Sequence, residues 1–142
     1  PPYTNSLELL ECLELETPDS LHYILEEWLK GLILFRCRIR EVTCEELDDG
    51  SYRVDVFYSA DKIEADELGD EKVIELHDYI DFGVFGADHE ILYLERKLLT
   101  SGTGRITVTV AETPLLAGID PYLLLLDMNP EDNVMKIVIA GK

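Results

Sequence analysis

A chain of 142 residues, 46% of them hydrophobic, is one domain or one domain with an appendage, and it is too apolar for a disordered tail. Twelve Lys and Arg stand against 30 Asp and Glu, a net charge of −18. A surface this acidic repels phosphate backbones and anionic lipid, which argues against nucleic acid as a partner.

No apolar run reaches the roughly 18 residues a membrane span needs, so direct membrane insertion is not expected, and no signal peptide is visible. The start at Pro1-Pro2, without Met, reads as a segment of a longer chain. Cys12, Cys37 and Cys44 have no metal-binding spacing. Cys37 falls in phase with Phe35 and Ile39, so a buried thiol is expected; a Cys37–Cys44 bridge is the alternative, without a Cys-rich framework behind it.

In chain order, Thr4-Asn5-Ser6 offers caps for a short helix carrying Leu7, Leu10 and Leu13, which ends before Pro18. Thr17-Pro18-Asp19-Ser20 predicts a second start: a capping Thr, Pro at the first helical position, and Asp against the positive end of the dipole. Leu21, Ile24, Leu25, Trp28, Leu29 and Leu32 then make one apolar stripe at helical spacing, which Gly31 terminates. Residues 1–32 are therefore expected to be a helical pair, and Trp28 to be at least partly covered.

From Ile33 the period becomes two. Ile33, Phe35, Cys37 and Ile39 alternate with Leu34, Arg36, Arg38 and Arg40 as a strand with a basic outer face. Leu47-Asp48-Asp49-Gly50 is a turn, and Tyr52, Val54, Val56 and Tyr58 return, completing a hairpin. Residues 61–71 read as an acidic surface loop and 72–76 as a short strand. The stretch from Tyr79 to Val110 organises the rest. Phe82–Gly86 is a kinked strand, Ile91–Leu99 a strand, Thr100–Gly104 a hairpin turn, and Arg105–Ala111 a strand burying Ile106, Val108 and Val110. Pro114, Gly118 and Pro121 leave Leu115–Tyr122 as an ordered loop. Leu123–Leu126 is an apolar run, and Val134–Ile139 closes as a last strand. The fold class expected for residues 33–142 is mainly β: a seven-stranded antiparallel, immunoglobulin-like sandwich behind two helices.

Motifs that carry chemistry are incomplete. His89-Glu90-Ile91-Leu92-Tyr93 opens like the zinc-peptidase motif, but Tyr93 stands where the second metal-binding His belongs, and the segment alternates as a strand. His22 and Glu26 share a helix face without a third ligand. His77-Asp78 resembles an oriented imidazole but has no nucleophile context. Gly102-Thr103-Gly104-Arg105 lacks the phosphate-loop spacing and its Lys. Asp127–Asn133 packs oxygen ligands densely, as calcium prefers, yet lacks the central Gly and terminal Glu of an EF-hand loop. Self-capping turns explain it more simply. No catalytic, cofactor-binding or metal residue is assigned, and no cofactor is expected.

Thr17-Pro18-Asp19-Ser20-Leu21, Ile80-Asp81-Phe82-Gly83-Val84-Phe85, Leu94-Glu95-Arg96-Lys97, Thr100-Ser101-Gly102 and Gly118-Ile119-Asp120-Pro121-Tyr122, with Asp127 to Asn133, resemble one family. It is the C-terminal region of bacterial membrane proteins that fuse an ABC-2-type permease to a zinc aminopeptidase of the gluzincin class. The resemblance spans nearly the whole chain, with Met128 standing where the family pattern has a basic residue. It implies that residues 1–32 end the peptidase's helical region and that a non-catalytic β-domain follows. That domain packs on the upstream peptidase and positions peptide or permease, in a membrane-associated, extracytoplasmic parent that is itself a metallopeptidase. Self-association through the helix stripe is a further expected contact. A calcium- or small-ligand-binding sandwich is the alternative.

Overall fold

The computed structural model describes residues 5–26, 29, 31–66, 68–100 and 102–139. Helix α1 (Ser6–Glu16) starts at Asn5, whose side chain accepts the N–H groups of Leu7 and Glu8, both at 3.0 Å. Glu8 returns the favour by accepting the Asn5 N–H at 3.0 Å, a reciprocal cap that satisfies orphan donors at both ends of the first turn.

Among the described residues, the second helix expected from Pro18 to Leu32 is irregular rather than one continuous α-helix: Glu26 and Leu29 are π-helical, and Gly31 N–H closes the segment on the Glu26 carbonyl at 2.8 Å. Asp19–Leu21 is a 3-10 turn, and Leu21, at φ −114° and ψ 0°, separates it from a single α-turn, α2 (His22–Leu25). Thr17 does not cap it. The Thr17 carbonyl instead accepts from His22 Nε2 at 2.8 Å, and the same ring nitrogen lies 3.0 Å from the Glu14 carbonyl, tying α2 back to the end of α1. No described residue between 5 and 26 is buried, and Leu21, Leu29 and Leu32 of the expected stripe are exposed. Trp28 lies outside the described residues.

Two four-stranded antiparallel sheets follow, eight strands among the described residues rather than the seven expected. Strands β1 (Leu32–Glu46) and β2 (Tyr52–Ala65) form the expected hairpin around Gly50, whose φ of +82° suits glycine. Strand β2 is long enough to serve two neighbours on its far side. Residues 62–65 pair with β3 (Glu71–Ile74), and residues 52–59 pair with β6 (Thr103–Val110). The second sheet runs β5 (Ile91–Leu99), β4 (Asp78–Phe85), β7 (Leu116–Ile119), β8 (Val134–Lys136).

β1 continues past Arg40 because the pairing slips there: Ile39 faces Tyr58, but Glu41 faces Phe57. The extra residue moves the inward set from odd to even numbers, so Ile33, Phe35, Cys37 and Ile39 are buried before it and Cys44 after it.

Four other expectations are corrected. Residues 61–65, read as surface loop, belong to β2. Leu115–Tyr122, read as loop, contains β7, a strand buried at Ala117, Gly118 and Ile119. Thr100–Gly104 is not a hairpin turn, because β5 and β6 lie in different sheets; Ser101 within it lies outside the described residues. The last strand, expected to run from Val134 to Ile139, ends at Lys136.

The core lies between the sheets. Val54, Val56, Val108 and Val110 are buried as expected, with Ile106 half-buried, and they pack with Ile80, Phe82 and Val84 of β4 and with Ile119 of β7. Tyr58 and Phe82 meet across the layers with ring centroids 5.0 Å apart. At one end of the core an ion pair replaces apolar contact: Lys62 Nζ lies 2.9 Å from Asp78 Oδ1, the side chains 7% and 10% exposed. The ammonium also sits 5.7 Å from the centre of the Phe35 ring.

Candidate functional site

The densest polar constellation lies where the chain from Asp120 to Asn133 closes the free edge of β1. Asp120 ends β7 in a left-handed conformation, φ 43°. Its N–H donates to the Asp81 carbonyl at 2.7 Å. Its carboxylate, 1% exposed, accepts the N–H groups of Leu124 and Leu125, both at 3.0 Å. Burial pushes the Asp120 carboxyl above its ordinary value; the Leu125 and Leu124 N–H groups oppose the shift, and the charges of Asp127 and Asp81 add to it. Asp81 is itself clamped from outside by Arg96, whose Nε and Nη2 reach its two oxygens at 2.7 and 3.0 Å.

The next residues lie alongside β1. Phe35 N–H donates to the Leu126 carbonyl and Met128 N–H to the Phe35 carbonyl, both at 2.9 Å. Asp127 fixes this rung from the side, Oδ2 accepting the Cys37 N–H and Oδ1 the Asn129 N–H, both at 2.8 Å. Arg36 Nη2 points at the Met128 sulfur, 3.7 Å away. Pro130–Asp132 makes a 3-10 turn, and Asp132 Oδ2 lies 3.6 Å from Arg38 Nε. Asp132 Oδ1 and the amide of Asn133, a residue with no exposed surface, have no protein hydrogen-bond partner among the described residues.

This arrangement does mechanical work on the backbone. The carboxylates of Asp120 and Asp127 accept four backbone N–H groups between them, and Asp132 Oδ2 faces a guanidinium. Among the described residues no group of three or more His, Cys, Asp or Glu converges on one point as metal ligands. Strand closure and turn capping account for Asp127 in the oxygen-rich stretch, and Asp132 Oδ1 and the Asn133 amide stand apart from that scheme.

Cys37 lies beneath the same segment. Burial, then the charges of Asp127 and Asp120, drive its thiol far above the ordinary range, with the Asp127 hydrogen bond and Asp132 acting in the same direction. Such a thiol stays protonated and is no nucleophile. Cys37 and Cys44 are both free and buried.

The remaining motif residues sit apart. His22 closes the α1–α2 turn, His77 is exposed just before β4, and His89 is exposed at φ 60° in the β4–β5 turn. Tyr93 lies on β5, its hydroxyl bonded to Glu95, so His89, Glu90 and Tyr93 form no helical ligand set. Gly104 is packed so closely on Tyr58 that a Cβ there would meet the hydroxyl at 2.5 Å, so the Gly102–Arg105 segment is a packing device. Two open clefts flank the β4–β5 turn. One, of about 370 Å³, is lined by Tyr52, Glu90 and Thr113; the other, of about 460 Å³, is lined by His89, Asp88, Leu115 and Lys136.

Sequence reasoning singled out Asp127–Asn133 but missed Lys62–Asp78, Asp120 and the Asp81–Arg96 clamp as structural centres. The signal for Asp120 was Gly118-Ile119-Asp120-Pro121-Tyr122, a turn-rich stretch with one acidic residue between apolar ones. No helix among the described residues is long and apolar enough to cross a membrane. No protein-family model, no curated protein and no solved structure matches the chain.

Proposed function

We propose that this chain is a non-catalytic accessory module that works by packing: the immunoglobulin-like C-terminal β-domain of a membrane permease–aminopeptidase fusion, seated on the peptidase. In this reading the parent is membrane-associated and extracytoplasmic. The module holds the peptidase or positions peptide or permease against it.

One observation carries the reading. In the densest polar region Asp120 and Asp127 are engaged in holding backbone, while the described residues from 5 to 26 include exposed leucines and none that is buried. A helical segment with its leucines in solvent suits docking.

The test is to incubate the purified chain with aminoacyl anilides and added zinc, following release of the chromophore, and to measure its melting temperature during a calcium titration. No zinc-dependent turnover and a calcium effect no larger than that of matched ionic strength are expected. Zinc-dependent turnover would overturn the accessory role. A saturable calcium-induced rise in melting temperature would support the ligand-binding alternative.

A further inference from the structure

Helix α1 carries apolar residues on every side: Leu7, Leu9, Leu10, Leu13 and Leu15. Leu10 and Leu13 are half-buried, whereas Leu7, Leu9 and Leu15 are 68%, 55% and 84% exposed. An isolated helix shorter than roughly 12–15 residues is marginal in water, and helices in proteins are held chiefly by burying an apolar face. At 11 residues with none buried, α1 lacks that support within the described residues.

Leu7, Glu11 and Leu15 stand at i, i+4 and i+8, one row along the helix, with Glu8 on the same side. No Lys or Arg occurs between residues 5 and 29. A surface that covers the two leucines must also take Glu11 out of water, and a carboxylate buried without a cation is strongly disfavoured.

We propose that the Leu7–Glu11–Leu15 row docks into an apolar groove rimmed by Lys or Arg on a partner protein, the mode in which an amphipathic helix lies in a groove. The inference rests on the packing role above and adds the face used and the charge of the partner. Two copies of this helix do not fit each other, because carboxylates would face carboxylates. Anionic lipid is repelled for the same reason.

The test follows amide resonances of the ¹⁵N-labelled 142-residue chain during titration with two synthetic amphipathic helices of one pattern, leucine–lysine and leucine–glutamate. The leucine–lysine helix is expected to shift the amides of residues 6–16 and the leucine–glutamate helix to leave them unmoved. Leu7→Ser with Leu15→Ser, and separately Glu11→Lys, should each weaken binding about tenfold or more. All three positions are exposed, so these variants keep the fold. Leu94→Ser with Leu98→Ser, on the second sheet, should leave affinity unchanged. Shifts confined to β4 and β5, affinity indifferent to the α1 variants, or equal binding of the acidic helix would overturn the proposal. So would a concentration-dependent dimer that Leu15→Ser disrupts. Zinc-dependent turnover would remove the accessory role while leaving this row standing. Failure of the basic helix to bind would remove the row while leaving the non-catalytic reading intact.

Discussion

Lys62 and Asp78 meet in the interior, between the first and second sheets, where neither charge has much water to fall back on. Truncating one partner strands the other, which costs about 3–5 kcal/mol, whereas replacing both by apolar residues of similar volume is often neutral or stabilising. Lys62→Met alone is therefore expected to lower stability by about that amount, and Lys62→Met with Asp78→Leu to recover most of it. Urea melts of the two single variants and the double variant measure the coupling. Additive losses would show that the pair contributes nothing beyond its volume.

A second residue-scale case is Asp55 on β2, which faces Arg105 at 2.8 Å and Thr107. Burial pushes its carboxyl up, but the Thr107 hydroxyl and the Arg105 guanidinium together outweigh that, and the net shift is downward. A depressed carboxyl contributes stability that is present above its unfolded value near 4 and is lost as pH falls through the folded one. Asp55→Asn should thus lower the melting temperature at pH 7. The gap from the parent should narrow as pH drops below about 4. A gap that stays constant down to pH 3 would assign the loss to packing instead, since a screened charge at the surface titrates away over that interval.

The elements differ in how plainly their residues announced them. β5 was legible at the same limits, Ile91–Leu99, and the β1–β2 hairpin at its Asp-Gly turn, because alternation and turn chemistry are local. β1 was read only to Arg40, since the bulge there shifts the inward residues by one and breaks a strict period of two. β7 was invisible: Ala117, Gly118 and Ile119 are all buried, so there is no polar alternate to mark a strand, and Pro114 and Pro121 suggested a loop. The second helix differs in the other direction, helical among its described residues but broken into 3-10, α and π turns. Its period was good, but Leu21 leaves helical geometry and His22 is drawn to the end of α1.

The oxygen-rich stretch was equally visible, whereas the partners of its carboxylates were not. Asp127 answers to Cys37 N–H, 90 residues earlier, and that pairing is a property of the sheet edge rather than of any spacing. β4 offers the matching element-scale prediction. A Cβ at Gly83 would meet the Phe85 ring at 2.6 Å and Pro121 at 3.3 Å. Phe85 is itself held edge-on against Tyr122, centroids 6.2 Å apart, so the ring cannot swing away freely. Gly83→Ala should cost about 1–3 kcal/mol, the range for overpacking a filled site. A thermal melt coincident with that of the parent would show that the ring yields without penalty.

For the whole molecule the governing quantity is the excess of 18 negative charges on 142 residues. The ion pairs on its surface, Arg96–Asp81, Arg105–Asp55 and Arg53–Glu45 among them, draw on only 12 cationic side chains, so most of its 30 carboxylates repel one another. Self-repulsion of this kind destabilises the compact state and is relieved by screening, whose range falls from about 10 Å at 0.1 M salt to about 3 Å at 1 M. Melting temperature should therefore climb steadily as sodium chloride is added, without the plateau of a filled site. Calcium chloride at matched ionic strength should raise it by little more, because Asp120 and Asp127 already accept backbone N–H groups and Asp132 Oδ2 lies beside Arg38. A calcium curve that departs sharply upward at low millimolar concentration and then levels would show specific binding, and an Asp132→Asn variant would locate it by losing the departure. If both salts leave the melting temperature flat, the carboxylates are too far apart for repulsion to matter.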